Sequence, residues 1–257
     1  MRPVLQIEGL VRSLGASPVL RGVDLQLEQG QCLAVIGPNG AGKSTLFNVI
    51  SGLLAPSAGD VRLQGRSIAG LSPHTIARLG LARSFQTSQL FSALSVADHL
   101  RCAALVRLAP KAGGWRGLLG SLHGVKGLQA RIEGLLQALD LQGCSQRLAG
   151  ELSYAQQRHL ELGLVLASEP EVILLDEPTA GMSRSETAQF IERIRQLTAG
   201  CSMLLVEHDL SVVDELADDV AVLHEGRVLA RGTAAQLRTD PQVQAVYPGL
   251  RQGGDEC

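Results

Sequence analysis

The sequence predicts an α/β fold carrying an inserted helical subdomain. Three observations lead there. Short Val/Ile/Leu runs recur along the chain, helical stripes lie between several of them, and one long central stretch is helical almost throughout. Leu5–Ile7, Val23–Leu27, Cys32–Ile36, Val61–Leu63, Val172–Leu175, Met203–Val206 and Val220–Leu223 read as strands. Leu46, Val49, Ile50 and Leu53 form one helical stripe, and Phe190, Ile194 and Leu197 form another. Such alternation implies a sheet buried on both faces. It stops from about Val96 to Ser168, where Leu128, Ile132, Leu135, Leu136 and Leu139 keep helical register. The chain therefore reads as one domain over 1–257. Its α/β core takes 1–95 and 169–233, the helical subdomain 96–168, and a tail 234–257.

The chain has 257 residues, 45% of them apolar and 19% charged, which is enough for a real core. A net charge of −2 argues against a general polyanion binder, so no nucleic-acid partner is expected. No apolar run approaches the roughly 18 residues of a membrane span, and "MRPVLQIEGL" shows no signal-peptide core. The expected location is the cytoplasm, at a membrane only where a partner holds the chain. Cys32, Cys102, Cys144, Cys201 and Cys257 are scattered without metal-ligand spacing and read as reduced thiols. "RLAPKAGGWRGLLGSLHGVKG" (107–127) lies in a stretch that has no acid between His99 and Ile132. It is either a solvated loop or a contact with lipid headgroups or an acidic partner; Trp115 and Leu118–Leu119 keep the second reading open.

"GPNGAGKST" (Gly37–Thr45) matches G-x-x-x-x-G-K-[ST], a phosphate-binding loop. The strand Cys32–Ile36 precedes it and a helix starting near Lys43 follows, as the mechanism requires. Gly37, Gly40 and Gly42 let the backbone fold tightly, so that N–H groups point at phosphate oxygens. Pro38, Asn39 and Ala41 complete the loop, and the helix start adds partial positive charge. Lys43 is placed to reach the β- and γ-phosphates and Ser44, the last motif position, to ligate Mg²⁺; Thr45 follows as a further candidate for nucleotide binding. In "VILLDEPTAG" a buried strand ends in Asp176, where ligands bind in open α/β sheets. Asp176 would hold Mg²⁺ through its water shell, and Glu177 would orient and deprotonate the attacking water. "LLVEHDL" ends a third strand in Glu207, His208 and Asp209, and His208 can contact the γ-phosphate. Gln86, in "RSFQTSQLF", is a weak signal alone.

The order of these motifs is narrower than any one of them: phosphate loop, Gln86, helical stretch, "LSYAQQ" (Leu152–Gln157), acidic strand end, His208. Over roughly residues 4–250 it resembles the ATP-binding subunit of an ABC (ATP-binding cassette) transporter. The resemblance implies a P-loop core with a mixed sheet, and ATP with Mg²⁺ as its ligands. It makes Gly37–Ser44 the Walker A motif, Gln86 the Q-loop glutamine that also reaches the metal, Asp176 the end of Walker B, Glu177 the catalytic base and His208 the switch histidine. It makes "LSYAQQ" the signature, which caps the γ-phosphate held by another subunit through Ser153, the small Ala155 and the helix from Gln156.

"QQR" after Tyr154, "LARSFQTSQLFSALSVADHL", the long insert and the tail "TDPQVQAVYPG" resemble branched-chain amino-acid uptake ATPases. "LELGLVLASEP", "AGMSRSET" and "VLHEGRVLARG" resemble the urea and short-chain amide branch, which stays open, as does a soluble non-transport ABC ATPase. The resemblance implies permease subunits whose coupling helix docks beside Thr87–Phe91, a second ATP-binding subunit and a periplasmic binding protein. It places the chain peripherally on the cytoplasmic face of the inner membrane. Four positions depart from the pattern: Leu14 stands for the aromatic before Gly15, Ala155 for the second signature glycine, Ser183 for Asp or Asn, and Pro248 for the tail's Leu.

Overall fold

The computed structural model describes residues 3–15, 17–84, 90–108 and 127–247. Gln86, Thr87 to Gln89, Trp115 and most of the basic stretch, Pro248 and Cys257 lie outside the described residues. Backbone contacts divide the chain into two compact units: 1–83 with 171–177 and 199–257, and 84–170 with 178–198.

The first unit holds two sheets. β1 (Pro3–Leu14), β2 (Ser17–Glu28), β4 (Ala58–Leu63) and β5 (Arg66–Ser67) form an antiparallel sheet in the order β2-β1-β4-β5. The second sheet runs β10-β9-β3-β8-β7-β6. It is built from β3 (Cys32–Ile36), β6 (Leu81–Arg83), β7 (Val172–Asp176), β8 (Ser202–Val206), β9 (Asp219–His224) and β10 (Arg227–Gly232). All its neighbouring pairs are parallel except β9 with β10, so the sheet is mixed, as the resemblance implies. β3, β7 and β8 are buried at every residue, which their unbroken apolar runs anticipate.

All seven strand assignments from sequence fall inside observed strands. β1 and β2 run further because their register shifts, as between Ile7 and Leu10, interrupt the alternation that marks a strand. β5 and β6 are too short to show a period. β10 is a half-exposed edge carrying Arg227 and Arg231, residues suited to an edge that must not pair further.

α1 (Lys43–Ile50) buries Leu46, Phe47, Val49 and Ile50 among side chains of both sheets, including Leu5, Leu20, Leu33 and Leu174. The helix ends sooner than its stripe suggested. Ser51 Oγ donates to Phe47 O at 2.8 Å, and Gly52 takes φ +77° where a Cβ would stand 2.5 Å from Leu71 O. Leu53 is therefore past the helix and 48% exposed, so it leaves the stripe. The unit also contains α2 (Pro73–Arg78) and α7 (Leu210–Leu216). It closes with α8 (Ala234–Thr239) and α9 (Pro241–Val246), where Asp240 caps α9 and Pro241 is its first residue.

The second unit is helical: α3 (Val96–Leu108), α4 (Leu128–Ala138), α5 (Tyr154–Ala167) and α6 (Arg184–Leu197). Ile132 and Leu136 are buried as the α4 stripe requires, and Leu135 is half-buried. Gly163 lets α5 pack closely, since a Cβ there would meet Leu139 and Leu100 at 2.5 and 2.9 Å. His159 of α5 stacks on Phe190 of α6, with centroids 5.2 Å apart. Burial, helped by the Arg193 charge, pushes the His159 imidazole below its ordinary pKa. Arg193 donates to Ala138 O at 2.7 Å, so α6 packs with this helical unit, although sequence reading had grouped its residues with the α/β core. Residues 92–96 and 147–150 are joined by backbone bonds from Val96 N to Arg147 O, Ala149 N to Leu94 O and Gly150 N to Ser92 O.

Candidate nucleotide-binding site

In the first unit, β3 runs straight into the phosphate loop. Gly37 follows the last strand residue at φ +151°, and a Cβ there would stand 2.1 Å from Leu223 O. Gly42 caps α1 at φ +107° and packs where a Cβ would meet Leu20 and Val19 O at 3.0 and 3.3 Å. The sequence thus needs glycine at both ends of the loop because neighbouring backbone comes close. Ala41 N donates to Pro38 O at 3.2 Å, which tightens the turn. Asn39, Gly40 and Ser44 are exposed and Thr45 is half-buried.

The loop is held from behind by the turn between β9 and β10. Gly226 N donates to Ala41 O at 3.0 Å, and Gly226 O accepts from Arg21 N at 2.8 Å. Gly226 sits at φ +76°, where a Cβ would come within 2.1 Å of Val19 O. Gly226→Ala is expected to destabilise the protein by about 1–3 kcal/mol through backbone strain at this junction. Chemical denaturation at fixed pH reads the loss; an unchanged midpoint would show that the turn does not hold the loop.

Lys43 is 7% exposed. Its ammonium donates to Gly37 O at 2.7 Å and Pro38 O at 3.1 Å. Burial pulls its pKa below the ordinary lysine value, and the Glu177 and Asp176 carboxylates offset part of that fall. Asp176 closes β7 and is buried. Arg83 Nη2 lies 2.8 Å from its Oδ2, with the two side chains 8% and 5% exposed. The same guanidinium donates from Nη1 to Asn48 Oδ1 at 2.8 Å and Ser51 Oγ at 2.9 Å, and its carbon lies 5.6 Å from the centre of the Phe47 ring. Sequence reading passed over Arg83. The only signal for it was an arginine inside an apolar run before Gln86.

Glu177 follows with φ +48°, a strained setting for a side-chain-bearing residue, and its N–H donates to Val206 O at 2.8 Å. His208 Nε2 stands 2.9 Å from Glu177 Oε1. His208 N–H donates to Glu207 Oε2 at 3.1 Å, and Glu207 is 3% exposed. Asp209 caps α7, accepting from Ser211 N at 2.9 Å. Lys43, Asp176, Glu177 and His208 therefore come together around the ends of adjacent strands β3, β7 and β8. A buried cation, a strand-final carboxylate and a carboxylate–imidazole pair are the groups that binding and hydrolysing a phosphoanhydride requires. Ser44 and Asp176 present hard oxygen donors of the kind Mg²⁺ takes.

The signature segment belongs to the second unit. Ser153 caps α5, with Ser153 Oγ accepting from Gln156 N at 3.3 Å and Gln156 Oε1 accepting from Ser153 N at 3.0 Å. The helix thus begins at Tyr154, two residues before the start read from sequence. Gln156 Nε2 also donates to Cys144 Sγ at 3.3 Å. Ala155 is half-buried in the first turn. Ser183 caps α6 by the same reciprocal arrangement with Glu186, so the departure from Asp or Asn keeps the cap. Leu14, at the end of β1, is 49% exposed.

The ABC transporter family model matches residues 20–180. The chain is 35% identical over 256 residues to the high-affinity branched-chain amino acid transport ATP-binding protein BraF of Pseudomonas aeruginosa, covering 96% of this chain and 98% of that one. It is 34% identical to the corresponding LivG of Escherichia coli, again over 96% and 98%. The ADP conformation of MJ1267, an ATP-binding cassette of an ABC transporter, superposes with a TM-score of 0.80 at 30% identity, covering 97% of this chain and all of that one. Motif order, the grouping of Lys43, Asp176, Glu177 and His208, and these likenesses agree: the chain belongs to the ABC transporter family as one of its nucleotide-binding ATPase cassettes.

Proposed function

We propose that this chain is the ATP-hydrolysing subunit of a membrane importer for branched-chain amino acids. Similarity over nearly the whole length to the BraF and LivG proteins carries the substrate class. In this reading the loop from Gly37 to Gly42, Pro38, Asn39, Gly40 and Ala41 included, wraps the phosphates of ATP. Lys43 exchanges its two loop carbonyls for β- and γ-phosphate oxygens. Thr45 follows in the first turn of α1. Ser44 and Asp176 would hold Mg²⁺, which would supply positive charge against the phosphates, and the resemblance adds Gln86 to that set. Arg83 fixes the Asp176 carboxylate in place. Glu177 takes the proton of the attacking water, and His208 holds the Glu177 carboxylate toward that water.

Ser153, Ala155 and Gln156 act on the ATP of a second ATP-binding subunit, so that triphosphate binds two cassettes together and hydrolysis releases them. Ser153 Oγ accepts in the helix cap, which leaves its own hydrogen for an outside acceptor. Among the described residues no helix is long and apolar enough to cross a membrane. In this reading, which rests on the similarity to BraF and LivG, permease subunits carry the substrate pathway and hold this chain at the cytoplasmic face of the inner membrane. A periplasmic binding protein supplies the substrate. Tagged chain produced with its permeases should co-purify with them from detergent-solubilised membranes, and leucine-loaded binding protein should stimulate the ATPase of that complex. Stimulation by urea but not leucine would reassign the substrate, and failure to co-purify would sink the importer role.

A further inference from the structure

Tyr154 stands in the signature immediately before Ala155, and its side chain makes contacts that a glycine there could not. Its hydroxyl donates to Ala180 O at 2.6 Å. The same oxygen accepts from Arg158 Nε at 2.9 Å and Nη2 at 2.6 Å. Arg158 in turn is buried and paired through Nη1 with Glu161 Oε2 at 2.8 Å, the two side chains being 7% and 11% exposed. Its guanidinium carbon also lies 5.0 Å from the centre of the Tyr154 ring. The phenol therefore has its acceptor capacity filled by a cation and its one proton aimed at one carbonyl, an arrangement that strengthens the donated bond.

The receiving loop is shaped to take it. Gly181 adopts φ +80° with its α-carbon turned to the ring, so that a Cβ there would meet Tyr154 atoms at 3.2 to 3.3 Å. Met182 N donates to Thr179 O at 3.1 Å and closes the turn. Ala180 lies three residues beyond Glu177 along the chain, and Ser183, which caps α6, lies three beyond Ala180.

We propose that Tyr154, backed by Arg158, is a positioning residue that latches the loop after the catalytic glutamate to the signature helix. The inference rests on the reading of Glu177 as the general base. The latch ties the helix that carries the signature residues to the loop that follows the chain's own base, both within the second unit, through the Tyr154 hydroxyl. A glycine at 154 has no hydroxyl to give Ala180 O. The latch acts on how often the loop after Glu177 is in register for proton removal, and so on turnover rather than on nucleotide affinity.

Tyr154→Phe removes the hydroxyl and keeps the ring against Gly181 and Arg158. In the full chain it should raise amide hydrogen exchange at Ala180 to Ser183 by about tenfold, while exchange in β3, β7 and β8 stays unchanged, which separates a local latch from general loosening. In the complete transporter complex it should lower the kcat of ATP hydrolysis by about five- to twentyfold with KM for ATP within twofold. Exchange at Ala180 to Ser183 equal to wild type, or an unchanged kcat, would overturn the latch. A rise in KM at constant kcat would also overturn it, because that places Tyr154 in nucleotide binding. The wild-type complex and Glu177→Gln, run alongside, isolate the premise: if wild type hydrolyses ATP and Glu177→Gln hydrolyses it equally, the general-base reading fails, whereas the exchange measurement still decides whether the latch exists.

Discussion

Glu177→Gln is expected to leave ATP bound and almost unhydrolysed. Glutamine keeps the size of the side chain and can still take a hydrogen bond from His208, which stands 2.9 Å from Glu177 Oε1. It cannot accept a proton from water. The strained backbone at φ +48° and the bond to Val206 O are main-chain features that the substitution does not touch. The fold should therefore survive while turnover falls by about 10²–10⁴-fold, the range that a positioned general base supplies. Lys43 and the loop glycines are unaltered, so affinity for a fluorescent ATP analogue should stay within a few-fold of wild type. Single-turnover hydrolysis of labelled ATP reads the difference. A rate within threefold of wild type would show that another group takes the proton.

The largest expected loss of stability belongs to Arg83→Met. Arg83 and Asp176 are a buried ion pair, and Arg83 further binds Asn48 and Ser51 across 35 and 32 positions of sequence. Methionine fills much of the volume but strands the Asp176 carboxylate without its guanidinium. Removing one partner of such a pair costs about 3–5 kcal/mol. For a protein of this size that is roughly a 10 °C fall in Tm. Arg83→Lys should recover only part of this, because an ammonium cannot reproduce the planar fork that meets Asn48, Ser51 and Asp176 together. The double variant Arg83→Met, Asp176→Asn should be more stable than Arg83→Met alone, since the buried carboxylate charge is removed together with its guanidinium. Equal melting of Arg83→Met and wild type would show that the pair contributes nothing net to the fold.

These two residues mark what could and could not be read from the chain. The place of Glu177 just past β7 was legible: an apolar run ends in carboxylates, after a loop whose glycines sit where Leu223 O and Val19 O leave no room for a Cβ. Arg83 was not legible. It occupies a strand of three residues, and its partner Asp176 is 93 positions away, so nothing local marks it as buried and paired. Tyr154 was readable as part of the likeness to the branched-chain uptake ATPases, but its partner is a backbone carbonyl 26 positions on, which no spacing rule encodes. The same limit explains the secondary structure. Wholly buried β3, β7 and β8 announce themselves by composition, whereas the edge strand β10 and the early stop of α1 at Ile50 are set by tertiary neighbours. The grouping of α6 with the helical unit likewise depends on Phe190 stacking on His159, a contact between helices distant in sequence.

The central claim is that ATP cleavage at Glu177 energises uptake of a branched-chain amino acid. It is tested most directly by initial-rate uptake of labelled leucine in cells whose only copy of this chain is wild type or Glu177→Gln. Uptake should be leucine-saturable with wild type and fall to the level of cells lacking the chain with Glu177→Gln. Leucine uptake that is the same in both would contradict the account.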